Sequence, residues 1–168
     1  ILLKNQMSVV ATSDAGNGVG YTGFRIRGSA GTSINVMLNG VPYNDSESQG
    51  TFFVNIPDMA SSASQIVIQR GVGTSSNGTA SFGASVNILT KNPDEKPYVL
   101  GQFSAGSFNT LKTSFEAGSG KFLNNLLSVS ARYSTINSDG YIDRAFSKLN
   151  SYNINALFEK GNTKIRFL

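Results

Sequence analysis

Aromatic and polar side chains that could hold a small molecule gather in one short stretch, residues 43–53. The rings offer surface for stacking, and the amides and carboxylates offer hydrogen-bonding groups. This mixture is typical of a site for a sugar or a metal chelate, because an apolar surface with a few polar groups fixes a ligand's orientation. Packing of Phe52 and Phe53 beneath the loop is an equally strong alternative. The predicted ligand contacts are Tyr43, Asn44, Asp45, Glu47, Gln49, Phe52 and Phe53.

Three arginines form a second group of candidate functional residues. Arg25 and Arg27 alternate with apolar residues, so a strand would place both on one face. Arg70 ends a later apolar run. A lone arginine is usually solvated, but inside a larger structure each would need a carboxylate partner. We therefore predict ionic contacts between these arginines and the surroundings of their domain. Glu116, if its side chain faces inward, is one candidate partner for Arg27 and Arg70.

Composition excludes several classes of chemistry. The 168 residues include no cysteine and no histidine, which excludes Cys/His zinc sites and histidine-based catalysis within them. The carboxylates cluster in turns and linkers, so a glycosidase would lack its acid pair. The net charge of +4 is spread along the chain without a basic run, which argues against nucleic-acid binding. We predict no catalytic residue, no metal site and no cofactor, and a β-sandwich glycosidase is the weaker alternative.

Two glycine-rich stretches superficially resemble phosphate-binding loops. Residues 16–20 lead into a predicted strand, whereas a dinucleotide site requires a helix at that point. Residues 71–78 lack the lysine that follows the last glycine of a P-loop. Both stretches are therefore predicted to be ordinary loops.

The first part of the chain is punctuated by glycine and predicts a small α+β domain. Asn39-Gly40 predicts a tight type I′ turn, because both residues tolerate positive φ. A short helix is predicted from Pro57 to Ala63, since proline is favoured in the first turn of a helix. The predicted strands are Gly23–Gly28, Ile34–Leu38, Ile66–Arg70 and Val86–Thr90.

The residue pattern changes at residues 93–97, and this proline-containing stretch predicts a linker. Apolar and polar side chains then alternate in long segments, with charges among the polar ones. This pattern is typical of a transmembrane barrel with a wet interior. A soluble β-sandwich also alternates, and on pattern alone it stays open as an alternative. No run approaches the roughly 18 apolar residues that a membrane-spanning helix needs.

The connections between these later segments differ in length. Gly161-Asn162 predicts a tight turn, and Gly118–Gly120 predicts the beginning of another short turn. The connection from Asn137 to Asn150 is longer. Short turns on one side and longer loops on the other are typical of outer-membrane barrels.

Motifs in the first 92 residues or so resemble the plug domain of TonB-dependent receptors. Residues 20–28 (GYTGFRIRG) and 34–45 (INVMLNGVPYND) resemble two successive plug segments. In residues 64–91 an RG pair, an FG pair and a final TK occur in the family's order. Many members carry a glutamate shortly before the RG pair, and this sequence has Val67 at that position. The resemblance therefore does not imply the plug contact that this glutamate makes in other members. The style is most similar to transporters of the Bacteroidetes type.

The resemblance implies an α+β plug domain followed by strands of an antiparallel transmembrane β-barrel. The plug would comprise residues 1–92, the linker residues 93–97, and the first barrel strands residues 98–168. Members of the family have a barrel of about 22 strands. We therefore expect this sequence to be a fragment of a longer protein.

The resemblance also implies a function. Receptors of this kind import a bulky, scarce nutrient, such as a siderophore, cobalamin or an oligosaccharide, across the Gram-negative outer membrane. TonB, recruited through a box that precedes the plug, supplies the energy, and a surface lipoprotein is a further partner to consider. The plug would gate the barrel and help to bind ligand, while Arg25, Arg27 and Arg70 would contact the barrel. A surface-binding or adhesin β-protein without transport is the alternative.

Overall fold

The computed structural model describes residues 3–72 and 81–168 and divides into two compact units. The first unit comprises Ile1–Thr90 and Tyr141–Ala145, and the second comprises Lys91–Gly140 and Phe146–Leu168. The predicted glycine-rich loop at 71–78 lies mostly outside the described residues.

Within the described residues, the first unit has six strands, a four-residue helix and two short 3₁₀ helices. The elements are β1 (Val9–Ser13), β2 (Thr22–Ile26), 3₁₀ Gly31–Ser33, β3 (Ile34–Leu38), β4 (Val41–Pro42), 3₁₀ Phe53–Asn55, α1 (Met59–Ser62), β5 (Ala63–Arg70) and β6 (Ala84–Thr90). A hairpin of β1 and β2 accompanies a four-stranded sheet in the order β4-β3-β6-β5. In that sheet β3 and β6 are parallel, whereas the other neighbours are antiparallel.

The core of the first unit lies on the two central strands. Most residues of β3 and β6 are buried, which is typical of parallel strands covered on both faces. The largest fully buried apolar side chains are Ile26, Ile34 and Val86. Phe24 and Phe53 pack against this cluster with ring centroids 5.2 Å apart.

One turn has the conformation that the sequence predicts, whereas one predicted strand ends earlier than the sequence predicts. Asn39 and Gly40 have φ of 51° and 83° and join Leu38 to its partner Val41, so the predicted tight turn is confirmed. The predicted strand at residues 23–28 ends at Ile26, because Arg27 takes a left-handed φ of 50°. The prediction that Arg25 and Arg27 share one strand face is therefore wrong.

The second unit is a five-stranded antiparallel meander. Its strands are β7 (Pro97–Gly106), β8 (Thr110–Phe122), β9 (Leu127–Ser138), β10 (Ser147–Lys160) and β11 (Thr163–Phe167). They lie in the order β11-β10-β9-β8-β7. Lys160 pairs with Thr163 across Gly161-Asn162, which confirms that tight turn. The turn predicted to begin at Gly118–Gly120 is wrong, because β8 continues through these residues with a bulge.

The two faces of this sheet reverse the arrangement of a soluble protein. One face carries serines and Arg132, and these polar side chains are buried. The other face carries apolar and aromatic side chains that are exposed, including Val99 (85%), Phe115 (60%) and Tyr152 (75%). A soluble sandwich buries its apolar faces, so the exposure pattern favours strands whose apolar face meets lipid. Among the described residues, no helix is long and apolar enough to cross a membrane.

Candidate ligand-binding loop and its supports

Asn44 fixes the base of the loop that carries most predicted ligand contacts. Its Oδ1 accepts a hydrogen bond from Val36 N at 2.7 Å, and its Nδ2 donates to Ile34 O at 2.9 Å and Gln49 O at 2.8 Å. Both amide hydrogens are thus engaged with the backbone. Asn44 attaches the loop to β3 and closes it upon itself, and the sequence alone gave no sign of this role.

Asp45 organises the tip of the same loop. Its Oδ1 accepts hydrogen bonds from Ser48 N at 2.7 Å, Ser48 Oγ at 2.8 Å and Glu47 N at 3.2 Å. The bond from the Ser48 backbone N–H is the largest cause that lowers the pKa of this carboxyl below its ordinary value, since it favours the charged form. The Asp45 backbone N–H donates to Gly50 O, and the Gln49 backbone N–H donates to Asp45 O, which closes the loop. The loop is therefore ordered by its own hydrogen bonds.

The aromatic residues of the loop divide into two environments. Phe53 opens a 3₁₀ helix and packs on Phe24, so it contributes to the core of the unit. Phe52 is 46% exposed, whereas Tyr43 is half-buried and donates its backbone N–H to Val36 O. Glu47 and Gln49 are exposed. The loop thus carries one exposed ring, that of Phe52, and the exposed polar side chains of Glu47 and Gln49.

The three predicted arginines lie in different settings. Arg25 and Arg27 are exposed, whereas Arg70 is half-buried at the end of β5. The Nε atom of Arg70 is buried and has no hydrogen-bond partner within residues 3–72 and 81–168. Glu116, the predicted partner, accepts a hydrogen bond from Tyr98 Oη at 2.5 Å.

Arg70 also lines a cavity that the sequence does not indicate. The cavity has a volume of about 360 Å³ and runs along β5. Its wall mixes apolar residues such as Leu3 and Ile66 with Gln6 and Gln65. Val67, which occupies the place of the family's glutamate, is 43% exposed on the same strand. No alternating pattern in the sequence distinguishes the cavity wall from other strand residues.

Metal chemistry has no ready-made site in the part of the chain that the structure describes. Within it, no group of three or more His, Cys, Asp or Glu residues lies close enough to hold an ion. Asp45 and Glu47 share a loop, but the Asp45 Oδ1 atom is engaged with Ser48 and Glu47 N–H groups. The loop therefore offers hydrogen bonds and one exposed ring as its binding chemistry.

Comparison with known proteins gives consistent results. Residues 2–85 match the family described as the TonB-dependent Receptor Plug Domain. No curated protein was found that is similar in sequence. The chain spans only about a fifth to a quarter of the length of the solved structures that it resembles.

Three of these structures illustrate the likeness. The pyoverdine outer membrane receptor FpvA from Pseudomonas aeruginosa PAO1 has a TM-score of 0.72 and 16% identity, covering 95% of this chain and 22% of the receptor. The copper transporter OprC has a TM-score of 0.70 and 15% identity, with coverage of 96% and 26%. The ferric yersiniabactin uptake receptor FyuA from Yersinia pestis has a TM-score of 0.65 and 17% identity, with coverage of 94% and 25%. The likeness covers both the first unit and the strands that follow it.

Proposed function

The chain belongs to the family of TonB-dependent receptor plug domains, and from that premise we propose that it forms part of an importer in the Gram-negative outer membrane. The chain would supply the plug, residues 1–92, a linker, residues 93–97, and the first strands of the barrel, residues 98–168. The proteins that it resembles are receptors and transporters, not enzymes. No bond is made or broken in this function, so the relevant chemistry is binding and gating.

The observation that carries the proposal is the reversed sheet of the second unit. Its exposed face bears Val99, Phe115, Tyr133, Tyr152 and Ile154. Apolar side chains of this size are costly in water when they form a continuous surface, but they are favourable against hydrocarbon. The buried polar face, with its serines, matches the wet interior of a barrel. The same strands cannot serve a soluble surface-binding protein without covering that face.

The substrate class that we propose to test first is a ferric chelate. FpvA is described as a pyoverdine receptor, FyuA as a ferric yersiniabactin uptake receptor and OprC as a copper transporter. Cobalamin and oligosaccharides are the comparison classes. TonB would supply the energy through a box that precedes the plug, and a surface lipoprotein is a further partner to test by co-purification.

The loop at residues 43–53 is our proposed ligand contact. Phe52 would stack on the ligand, and Glu47 and Gln49 would donate or accept hydrogen bonds, because these side chains are exposed and close together in sequence. Tyr43 and Asp45 would contribute at the edge. Asn44 and Phe53 would act through the loop, since their amide and ring are engaged within the unit.

Uptake by the full-length receptor in cells tests this proposal. Radiolabelled ferric siderophores, cobalamin and oligosaccharides would be offered with and without TonB, and energy-dependent accumulation of one class is expected. Binding without TonB-dependent accumulation would instead support the surface-binding alternative. The triple substitution Glu47→Ala, Gln49→Ala, Phe52→Ala should weaken binding at least tenfold. Met7→Ala, also on an exposed side chain, is the matched control. Unchanged affinity in the triple variant would remove the loop from the site.

The three arginines are proposed to contact carboxylates of the barrel. The buried Nε atom of Arg70 supports this, because it has no hydrogen-bond partner among the described residues and a buried polar atom without a partner is unfavourable. In the full receptor, Arg70→Glu should increase entry of large antibiotics, whereas Arg70→Lys, which keeps the charge, should increase it less. Arg25→Glu and Arg27→Glu test the two exposed arginines in the same way. Equal antibiotic sensitivity in all variants and the parent would contradict the proposal.

A further inference from the structure

The segment Lys91–Lys96, here called the strap, is attached to strands of the second unit at two points. At one point, Arg166 of β11 donates from Nη2 to Lys91 O at 2.6 Å. At the other, Lys121 of β8 donates its backbone N–H to Glu95 O at 2.9 Å, and its Nζ contacts Glu95 Oε1 at 2.7 Å. The strap therefore joins two strands that are not neighbours in the sheet.

The two attachment residues are the ends of one transverse row of the sheet. Lys121 pairs with Ser128, Ser128 pairs with Leu157, and Leu157 pairs with Arg166. Three strand spacings separate the ends of this row, a distance of about 14 Å. The four-residue step from Lys91 to Glu95 reaches about 13–14 Å when fully extended. The extended segment is therefore about as long as this row, and the Arg166 side chain adds further reach.

The strap's own sequence suits an extended path. Pro93 lies midway between the attachment points and is buried. Proline fixes its own φ and disfavours the helical region for the residue before it. Asn92 and Lys96, which precede Pro93 and Pro97, are restricted in this way. These restrictions favour an extended backbone for the strap.

The sheet is shaped locally to receive the strap. Gly118 pairs with Ser130 and Lys121 with Ser128, so β8 has one more residue than β9 in this interval. Such a bulge redirects the side chains that follow it, and it turns Lys121 to the face that carries Ser128 and Ser130. Gly120 within the bulge has φ +68°, and a Cβ there would lie 2.6 Å from Pro97 N and 2.9 Å from Glu95 O.

A charge network supports the Glu95 attachment. Lys121 Nζ lies 3.6 Å from Glu159 Oε2, and Lys164 Nζ lies 2.7 Å from Glu159 Oε1. The Lys121 and Glu159 side chains are 29% and 26% exposed. A single exposed ion pair contributes at most about 1 kcal/mol, but here the pair is combined with a backbone hydrogen bond to the same residue.

We propose that the strap is a mechanical anchor that ends the mobile part of the plug at Thr90. This rests on the proposed function, in which force is applied to the plug. Without the strap, tension at Thr90 would pass directly to Pro97 and peel β7 from β8, one ladder hydrogen bond at a time. With the strap seated, tension is taken by Arg166 and Lys121, on strands β11 and β8. The plug can then open while the first barrel strand stays paired.

Single-molecule pulling on the N-terminal end of the plug tests the anchor in the full-length receptor, held in a lipid bilayer. The double variant Lys121→Met, Arg166→Met removes both side-chain attachments. Its plug should extend further than the parent's before the barrel yields, by roughly the 13–14 Å of the step from Lys91 to Glu95. The rest of the strap stays attached, because the Lys121 backbone hydrogen bond to Glu95 O remains. Lys164→Met is the matched control, because it breaks the bond to Glu159 and leaves both strap attachments in place.

Gly120→Ala is a second variant, which displaces the strap through crowding without removing a charge. Its added extension should be smaller than that of the double variant, because the Arg166 bond to Lys91 O remains. A heat-modifiability gel would establish that each variant holds a folded barrel. Equal extension in the parent, the double variant and Gly120→Ala would overturn the anchor. The force comes from the instrument, so absence of TonB-dependent uptake would refute the proposed function without affecting this test.

Discussion

The ring of Tyr98 on β7 lies directly over Gly118, its paired residue on β8, and its hydroxyl reaches Glu116 Oε1 at 2.5 Å. Phe115 and Gly101 form the same kind of pair on the opposite face, with the Phe115 ring 3.7 Å from the position of a Cβ on Gly101. An aromatic ring laid across a strand glycine covers backbone that would otherwise lack a side-chain contact. The first hairpin of the sheet is thus fixed on both faces.

Gly118→Ala should destabilise this hairpin, because the new Cβ would collide with the Tyr98 ring. The ring must move, and its hydrogen bond to Glu116 is then lost. We expect a loss of roughly 1–3 kcal/mol, the usual cost of overpacking. Thermal unfolding of the full receptor, followed by heat-modifiability, measures it. Gly101→Ala is the control, since its Cβ would only reach ordinary contact distance; an equal loss in both variants would contradict the argument.

Gly83→Ala should destabilise the plug. A Cβ at this position would collide with the Ser29 side chain and lie 3.1 Å from Ser33 O, while the Gly83 backbone N–H bonds to Ser33 O. The expected cost is roughly 1–3 kcal/mol, seen as faster proteolysis of the plug. Gly31→Ala has open space around its Cβ and should behave as the parent. Parent-like proteolysis of Gly83→Ala would show that Ser29 can move aside freely.

Asn44→Ala should loosen the binding loop, because three hydrogen bonds to backbone atoms are lost and Val36 N loses its acceptor. The expected cost is roughly 2 kcal/mol. Hydrogen exchange of residues 44–50 should accelerate, and ligand affinity should fall with it. Gln49→Ala loses only a long side-chain bond of 3.4 Å and serves as the control for loop order. Unaltered exchange in Asn44→Ala would show that the loop is held by other means.

Acidification should loosen the same loop through Asp45. The folded pKa of this carboxyl is below its ordinary value of 3.8, because its hydrogen bonds favour the charged form. The hydrogen bonds therefore stabilise the folded loop while the carboxyl is charged, and this stabilisation is lost as the pH falls through the folded pKa. Protection of the Ser48 amide should be constant from neutral pH to about pH 4 and fall below it. Asp45→Asn should abolish this pH dependence. A loss of protection that begins near pH 6 would assign it to another group.

Much of the fold could be predicted because it depends on short-range rules. The bounds of β3 follow from one apolar run, and the turn after it follows from the tolerance of Asn39 and Gly40 for positive φ. The alternation of apolar and polar residues in β8, β9 and β10 fixed which side chains share a face, since a strand repeats every two residues. The plug motifs, being in order and at fitting spacings, indicated the family that residues 2–85 match.

Tertiary structure decided the features that depend on distant partners. The parallel pairing of β3 with β6 joins Ile34 to Ala84, and no local pattern specifies it. The sequence predicts Asn44 as a ligand contact but does not predict its hydrogen bonds to the loop. Its partners Ile34, Val36 and Gln49 become its neighbours only when the loop closes. The two glycines at Gly118–Gly120 predict a turn, because glycine is common both in turns and in bulges and does not by itself distinguish them. Only the paired strands and the strap that crosses them make that distinction, since the register of β8 against β9 is a property of both strands together.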